Sequence, residues 1–119
     1  MHEFAIASAV VDTAVRHARG RPVSVVSVRT GRLRQVVPAS LACAFGVLSR
    51  ETLCDGAVLE QEVVPARLRC DACARDWEIE LPIFRCPTCG TAAVEVVAGE
   101  ELEVESIEIG QDEEAPCTA

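Results

Sequence analysis

The chain of 119 residues has no tyrosine and no lysine, and aromatic residues make up only 3% of it. Its hydrophobic residues, 50% of the total, must therefore build a core from Val, Ile, Leu and Ala. No apolar run approaches the roughly 18 residues that a membrane-spanning helix needs, so we expect no membrane segment. A chain of this length suits one small domain, or a small core with a metal-stabilised module attached.

Basic residues are scarce, and their placement limits the partners that the chain can bind. The formal net charge is −8, all 11 basic residues are arginine, and residues 95–114 include none of them. Near the cysteines of the second half, arginines alternate with acids, and only Trp77 and Phe84 could stack on bases. Binding of nucleic acid needs a basic surface, so we predict a protein partner and no nucleic acid.

The N-terminal residues and the cysteine count indicate the compartment. The chain begins Met-His-Glu-Phe, with an acid where a secretory signal peptide would carry positive charge. Seven cysteines is an odd number, which argues against a fully paired secreted disulfide framework. We therefore expect a reduced, cytoplasmic protein.

Two cysteine pairs are the strongest signal in the sequence, Cys70-Asp-Ala-Cys73 and Cys86-Pro-Thr-Cys89. Two C-x-x-C pairs separated by a short stretch are typical of four thiolates that surround one Zn²⁺. The alternatives are two disulfides or a redox motif, but a redox motif occurs once, at the start of a helix. The spacing therefore predicts that Cys70, Cys73, Cys86 and Cys89 bind a structural Zn²⁺.

The same residues argue against an enzyme. A zinc ion with four thiolate ligands has no open position for a catalytic water. The pair His2-Glu3 lacks the second histidine that the H-E-x-x-H motif of zinc proteases requires. The other cysteines, Cys43, Cys54 and Cys117, lack the paired spacing and are interpreted as isolated thiols.

Hydrophobic periodicity predicts an α/β (α+β) fold, in which two helices pack on one face of a three-stranded antiparallel sheet. The helices are expected at residues 3–19, before Gly20, and at residues 38–52, with Pro38 at the first turn. Strands are expected at residues 23–30, 57–64, 77–81 and 101–109.

The last predicted strand changes phase, because Leu102 and Val104 share one parity while Ile107 and Ile109 share the other. A β-bulge, or a strand that passes from one sheet to another, would produce this shift, and we favour the second explanation. The zinc ribbon is then an insertion between two strands of the α/β domain. The expected domains are residues 1–66 plus 101–110 for the α/β domain, residues 67–100 for the ribbon, and a disordered acidic tail at 111–119.

The first residues offer a second set of metal-binding groups. The Met1 α-amine, the His2 imidazole and deprotonated backbone amides form a nitrogen set of the kind that Ni²⁺ and Cu²⁺ favour. His17 lies roughly 20 Å along the helix, so it cannot share an ion with His2, and we expect it to pack on the apolar face. On these residues alone, a solvated terminal histidine is the simpler interpretation.

Several motifs taken together change that interpretation. They are Met1-His2-Glu3 at a helix start, Phe45 in the second helix, Gly56-Ala57 before a strand, the cysteine pairs ending in Cys86-Pro-Thr-Cys89-Gly90, and Gly99-Glu-Glu-Leu102 leading into Val104-Glu-Ser-Ile-Glu108. This combination resembles the HypA/HybF family of nickel metallochaperones in hydrogenase maturation. The resemblance covers nearly the whole chain except the acidic tail.

The resemblance implies an α/β nickel-binding domain with an inserted zinc domain. It implies that His2 is the essential Ni²⁺ ligand, with the Met1 amine and the backbone nitrogens of His2 and Glu3 as co-ligands. Glu3 could also orient His2 through its side chain. The implied partners are a HypB-type GTPase and the [NiFe]-hydrogenase large subunit precursor, which receives the nickel. Some family members add a zinc-domain histidine to the nickel site, and this chain has none there. The competing hypothesis is a zinc-ribbon adaptor that binds a protein or nucleic acid and has no nickel role.

Overall fold

The computed structural model describes residues 2–110, apart from the side chain of His2. Met1, the predicted acidic tail and Cys117 lie outside the described residues, so the predictions made for them stay predictions. The elements in chain order are α1 (His2–Ala18), β1 (Val23–Gly31), a 3-10 turn (Arg32–Arg34), α2 (Pro38–Leu48), β2 (Val58–Val64), β3 (Ala66–Cys70), β4 (Asp76–Ile79), β5 (Val94–Ala98) and β6 (Leu102–Ile109).

The chain divides into two compact units. Within the described part, the first unit comprises residues 2–28, 36–62 and 103–110, and the second comprises residues 29–35 and 63–102. The strands form two three-stranded sheets, in the orders β2-β1-β6 and β4-β3-β5. The predicted α+β class, with two helices, a three-stranded sheet and a separate cysteine ribbon, is therefore confirmed.

The core of the first unit is built almost entirely from small and medium aliphatic side chains. Its residues come from both helices, from β1 and from the turn after α2, and only one is aromatic, Phe45. They are Ala7, Val10, Val11, Ala14, Ala18, Val23, Val26, Val28, Leu41, Ala44, Phe45 and Cys54. This composition is what a sequence with 3% aromatic residues requires.

The structure corrects the prediction for His17. The buried face of α1 ends in Ala18, which is 2% exposed, whereas His17 is exposed. Successive helical residues point about 100° apart, so a shift of one position moves a side chain from the core to solvent. The Nδ1 atom of His17 lies 2.9 Å from the backbone oxygen of Thr13, one turn earlier.

Helix α2 ends at Leu48, four residues before the predicted end. The Ser49 N–H still donates to the Phe45 carbonyl at 2.9 Å, but Glu51 takes a φ of 64°, a left-handed conformation that a right-handed helix cannot include. Hydrogen bonds from the Thr52 hydroxyl to the Ser49 carbonyl (2.6 Å) and from the Cys54 N–H to the Thr52 hydroxyl (3.0 Å) fix the turn that follows.

The phase shift in the last strand does not mark a crossing between sheets, and that explanation is wrong. Val104, Ile107 and Ile109 all pack against the same core, so both parities lie within the first unit. The crossing comes earlier, because β5 belongs to the second sheet and β6 to the first. Gly99, with a φ of 113°, lies in the short connection between them.

The second sheet is an antiparallel ribbon with β3 at its centre. Leu68, which is fully buried, lies opposite Trp77 of β4. On the exposed face, Arg67 pairs with Glu78 at 3.5 Å and Arg69 with Asp76 at 3.7 Å, each directly across the two strands. These pairs favour the register of the hairpin whose turn carries the first cysteine pair. Among residues 2–110, no helix is long and apolar enough to cross a bilayer.

Candidate metal centres

Four cysteines of the second unit converge on one point. The sulfur atoms of Cys70, Cys73, Cys86 and Cys89 all lie within 4.8 Å of one another. Cys70 and Cys86 are buried, Cys73 is partly buried and Cys89 is exposed. The structure thus brings together the four side chains that the spacing had grouped.

Each cysteine pair forms the same backbone turn, and we call residues 70–75 the first knuckle and residues 86–91 the second. In the first, the Ala74 N–H donates to the Cys70 carbonyl at 2.8 Å, and the Cys70 N–H donates to the Arg75 carbonyl at 2.9 Å. In the second, the Gly90 N–H donates to the Cys86 carbonyl at 2.9 Å, and the Cys86 N–H donates to the Thr91 carbonyl at 3.0 Å.

The fifth residue of each knuckle requires a left-handed backbone. Gly90 adopts a φ of 73° without steric cost because it has no Cβ. Ala74 takes the equivalent position with a φ of 57°, which is strained for a residue with a side chain. The glycine after the second pair signals this turn in the sequence, whereas nothing in the sequence signals it at Ala74.

The sulfur geometry suits a tetrahedral metal site. Four thiolates about 2.3 Å from a central Zn²⁺ have sulfur–sulfur distances of about 3.75 Å. The Cys70 and Cys89 sulfurs lie 3.7 Å apart. Backbone N–H groups point at the sulfurs, from Cys73 to Cys70 at 3.3 Å and from Thr88 to Cys86 at 3.4 Å. Such donors stabilise thiolates, which are the metal-binding form of cysteine.

The four thiols perturb one another strongly. N–H groups of Cys89 and Thr88 lower the pKa of Cys86 to about 6. A hydrogen bond with Cys89, together with burial, raises the pKa of Cys73 to about 12. Crowded thiols cannot all ionise without a cation, because each thiolate opposes the next. A divalent ion that takes all four resolves this conflict.

The N-terminal candidates are described in part. Met1 and the His2 side chain lie outside the described residues, and α1 begins at His2. The Glu3 side chain is buried, 7% exposed, and its Oε2 accepts a hydrogen bond of 3.0 Å from the Val37 N–H. Val37 is the N-cap residue of α2 and has no side-chain cap of its own. Glu3 therefore links the first turns of both helices, a role that the sequence did not reveal.

The remaining described cysteines are not part of the four-cysteine cluster. Cys43 is exposed on α2, and Cys54 is fully buried in the core of the first unit. Burial raises the pKa of the Cys54 thiol. Both are interpreted as structural or incidental thiols, because no other described cysteine, histidine or acid groups with them as a metal ligand set.

A family model described as "Hydrogenase/urease nickel incorporation, metallochaperone, hypA" matches residues 1–109. The chain belongs to the HypA family. The predicted HypA/HybF nickel metallochaperone of hydrogenase maturation is therefore confirmed at the level of the family. The match includes both knuckles and the Met1-His2-Glu3 terminus, and it ends at residue 109, before the predicted acidic tail.

Curated relatives and a solved structure agree with this membership. A protein named hydrogenase maturation factor HypA from Geobacter metallireducens is 38% identical over 109 residues, which cover 92% of this chain and 99% of the relative. One of the same name from Streptomyces avermitilis is 41% identical, with 90% and 86% covered. The solution structure of the Ni metallochaperone HypA from Helicobacter pylori matches with a TM-score of 0.67, 23% identity and coverage of 92% and 97%. That likeness shows that this chain has the HypA fold.

Proposed function

We propose that this chain binds Ni²⁺ at its N-terminus, keeps a structural Zn²⁺ in the four-cysteine cage, and transfers the nickel without chemical change. The proposed recipient is a [NiFe]-hydrogenase large subunit precursor in the cytoplasm, and the proposed partner in the transfer is a HypB-type GTPase. The observation that carries the proposal is the family match over residues 1–109, because it includes the terminal Met1-His2-Glu3.

The start of α1 has the groups that a nickel site of nitrogen donors needs. The first N–H groups of a helix have no carbonyl partner within the helix. The backbone nitrogens of His2 and Glu3 belong to this first turn, so binding Ni²⁺ through them breaks no helical hydrogen bond. With the Met1 amine and the His2 imidazole, they complete the square-planar nitrogen set that Ni²⁺ favours.

Glu3 contributes to this proposed site in two ways. Its backbone nitrogen is a candidate ligand, while its carboxylate is held by the Val37 N–H at 3.0 Å and is 7% exposed. The side chain therefore positions the first turn of α1, and with it His2, rather than binding the ion. A cargo ion also needs a site from which it can leave, and a helix end offers that more readily than a closed cage.

The zinc assignment rests on the donor set. Four thiolates that converge on one point, here with all sulfurs within 4.8 Å of one another, are typical of a closed structural Zn²⁺ site. Residues 80–93 form no helix or strand, so the loop of the second knuckle has little regular structure to hold it without a metal. A closed cage and a cargo site leave no place for catalysis, and we propose that the chain is not an enzyme.

Nickel titration of two matched histidine variants tests the proposal. We expect the parent to bind one Ni²⁺ tightly, His2→Ala to lose that binding, and His17→Ala to keep it, since His17 is exposed and roughly 20 Å along α1. Zinc content and circular dichroism should not change in either variant. If His2→Ala binds nickel as tightly as the parent, the nickel role is wrong and the zinc-ribbon adaptor replaces it.

An uncleaved N-terminal tag separates the ligands within the site. It keeps the His2 imidazole but converts the Met1 amine into an amide, which is a weaker donor. We expect weaker nickel binding or a changed absorption spectrum in the tagged protein, and recovery after cleavage to the native terminus. Identical titrations before and after cleavage would exclude the amine as a ligand.

A further inference from the structure

We propose that the side chains of Arg75 and Thr88 form a latch between the two knuckles, and that this latch slows the loss of zinc from the cage. The Arg75 Nη1 atom donates a hydrogen bond to the Thr88 Oγ1 atom at 2.6 Å. Arg75 belongs to the first knuckle and Thr88 to the second. The inference rests on the proposed presence of Zn²⁺ in the cage.

The hydrogen bonds that form each knuckle do not join it to the other. The bonds between Cys70, Ala74 and Arg75 close the first turn, and the equivalent bonds of residues 86, 90 and 91 close the second. Each turn is thus complete by itself. Joining the two requires the metal, or contacts that reach from one to the other, as Arg75 does.

The two knuckles are supported unequally by the ribbon. The first is the turn of the β3–β4 hairpin, with paired strands on both sides. The second lies within residues 80–93, between β4 and β5, where the described chain has neither helix nor strand. The second knuckle is therefore the part that must move away when zinc leaves, and the latch opposes that movement.

Thr88 connects the latch to the cage itself. Its backbone N–H donates to the Cys86 sulfur at 3.4 Å, while its hydroxyl accepts from Arg75. A Zn²⁺ with four thiolates carries a net charge of about −2, so the guanidinium also places positive charge beside an anionic site. The latch thus acts through both geometry and charge.

The two knuckles have equivalent positions, and a comparison of these positions shows that the Arg75–Thr88 bond has no counterpart. The positions equivalent to Arg75 and Thr88 in the other knuckle are Thr91 and Ala72. Ala72 has no polar side chain, so no second latch of this kind can form. Removal of either partner should therefore abolish this side-chain hydrogen bond completely, which makes the pair suitable for a double-mutant cycle.

The consequence concerns the different rates at which the two proposed metal sites release their ions. A chain that releases Ni²⁺ to a recipient while it retains Zn²⁺ must exchange the two ions at very different rates. Structural zinc sites owe their retention to the residues around the ligands as well as to the ligands. The latch is such a device, made from residues that are not ligands.

Zinc release from the full-length protein tests the latch. Zinc-loaded parent, Arg75→Ala, Thr88→Val and the double variant are challenged with excess chelator, and release is followed with a metal-sensitive dye. A hydrogen bond of ordinary net strength corresponds to roughly a three- to tenfold change in rate. We expect each single variant to release zinc roughly three- to tenfold faster than the parent, and the double variant to be no faster than Arg75→Ala.

Two further variants separate the latch from general effects. Arg85→Ala removes an arginine whose Nη1 donates to the Gly90 carbonyl at 2.9 Å, within the second knuckle and its flank. We expect it to release zinc at nearly the parental rate. Thr88→Ser keeps the hydroxyl and should also behave as the parent, which a purely steric role of threonine would not predict.

The outcomes distinguish the latch from the zinc assignment. Equal release rates in Arg75→Ala and Arg85→Ala, or effects that multiply in the double variant, would overturn the latch while leaving zinc in place. A parent protein that contains no zinc after metal-replete purification would overturn the zinc assignment, and the latch with it.

Discussion

Substitution of Gly99 by alanine should destabilise the second unit for two separable reasons. Gly99 has a φ of 113°, and a Cβ there would lie 2.6 Å from the Ala66 Cα atom. An alanine in this backbone conformation destabilises the folded state by about 1–2 kcal/mol. The same alanine restricts the unfolded chain, which offsets about 0.4–1 kcal/mol of that loss. Moving the Ala66 backbone adds about 1–3 kcal/mol. The expected loss is about 1–5 kcal/mol in the free energy of unfolding, the sum of these contributions.

The surroundings of Gly99 explain why the backbone cannot simply move aside. Its carbonyl accepts from the Leu33 N–H at 2.8 Å, and its N–H donates to the Glu101 side chain at 2.8 Å. A Cβ on Gly31 would overlap the Gly99 carbonyl group. Three backbone segments therefore pass each other in contact at this point, and a displacement of one disturbs the others.

Urea unfolding of zinc-loaded protein, followed by tryptophan fluorescence, measures this effect. Trp77 is the only tryptophan of the chain and lies in β4, so its signal reports the second unit. Gly90→Ala is the matched control in the same unit, because Gly90 has a φ of 73° with nothing within 4 Å of its Cβ position. We expect it to cost about 1 kcal/mol or less, since Ala74 already tolerates the same conformation. Equal midpoints for the two variants would refute the steric argument.

The cysteines and the first knuckle give three further predictions. Cys73→Ala should lose zinc, measured by metal analysis, and should unfold the ribbon, because three thiolates leave the cage open; retained zinc with unchanged fluorescence would contradict this. Ala74→Gly should raise the free energy of unfolding in urea by about 0.5–1 kcal/mol by relieving a φ of 57°, and a loss of stability would contradict the strain. Alkylation at about pH 8, analysed by peptide mass spectrometry, should modify exposed Cys43 and spare Cys54. Burial raises the pKa of the Cys54 thiol, so it stays neutral, and therefore unreactive, until higher pH. Equal labelling of both would show that the core opens.

Features encoded by local spacing could be predicted from the sequence. The two C-x-x-C pairs grouped four cysteines correctly because each turn is closed by hydrogen bonds among neighbouring residues. Helix α1 was predicted to within a residue at each end, since Gly20 follows it and its apolar residues repeat at helical spacing. The family resemblance also came from short motifs, and the family match confirms it.

Other features could not be predicted because they depend on small differences in angle or on distant partners. His17 is the neighbour of the buried Ala18, and the two side chains point about 100° apart around the helix axis. At the end of a helix, the pattern of apolar residues is too short to show which of the two faces the core. The parity change in β6 allowed two explanations, a bulge or a crossing between sheets. Only the packing of Val104 and Ile107 on one core excluded the crossing.

The sequence by itself determined the composition of the core, the two helices, four of the six strands of the described residues, the cysteine grouping and the family, but it missed β3 and β5. The tertiary structure alone decided which backbones touch and which side chains meet across loops. The approach of Gly31 and Gly99 to each other joins residues far apart in the chain, and so does the bond between Glu3 and Val37. Arg75 and Thr88 are 13 positions apart, with no periodicity to pair them. Such contacts depend on the path of the whole chain, because local propensity fixes the elements but not the distances between them.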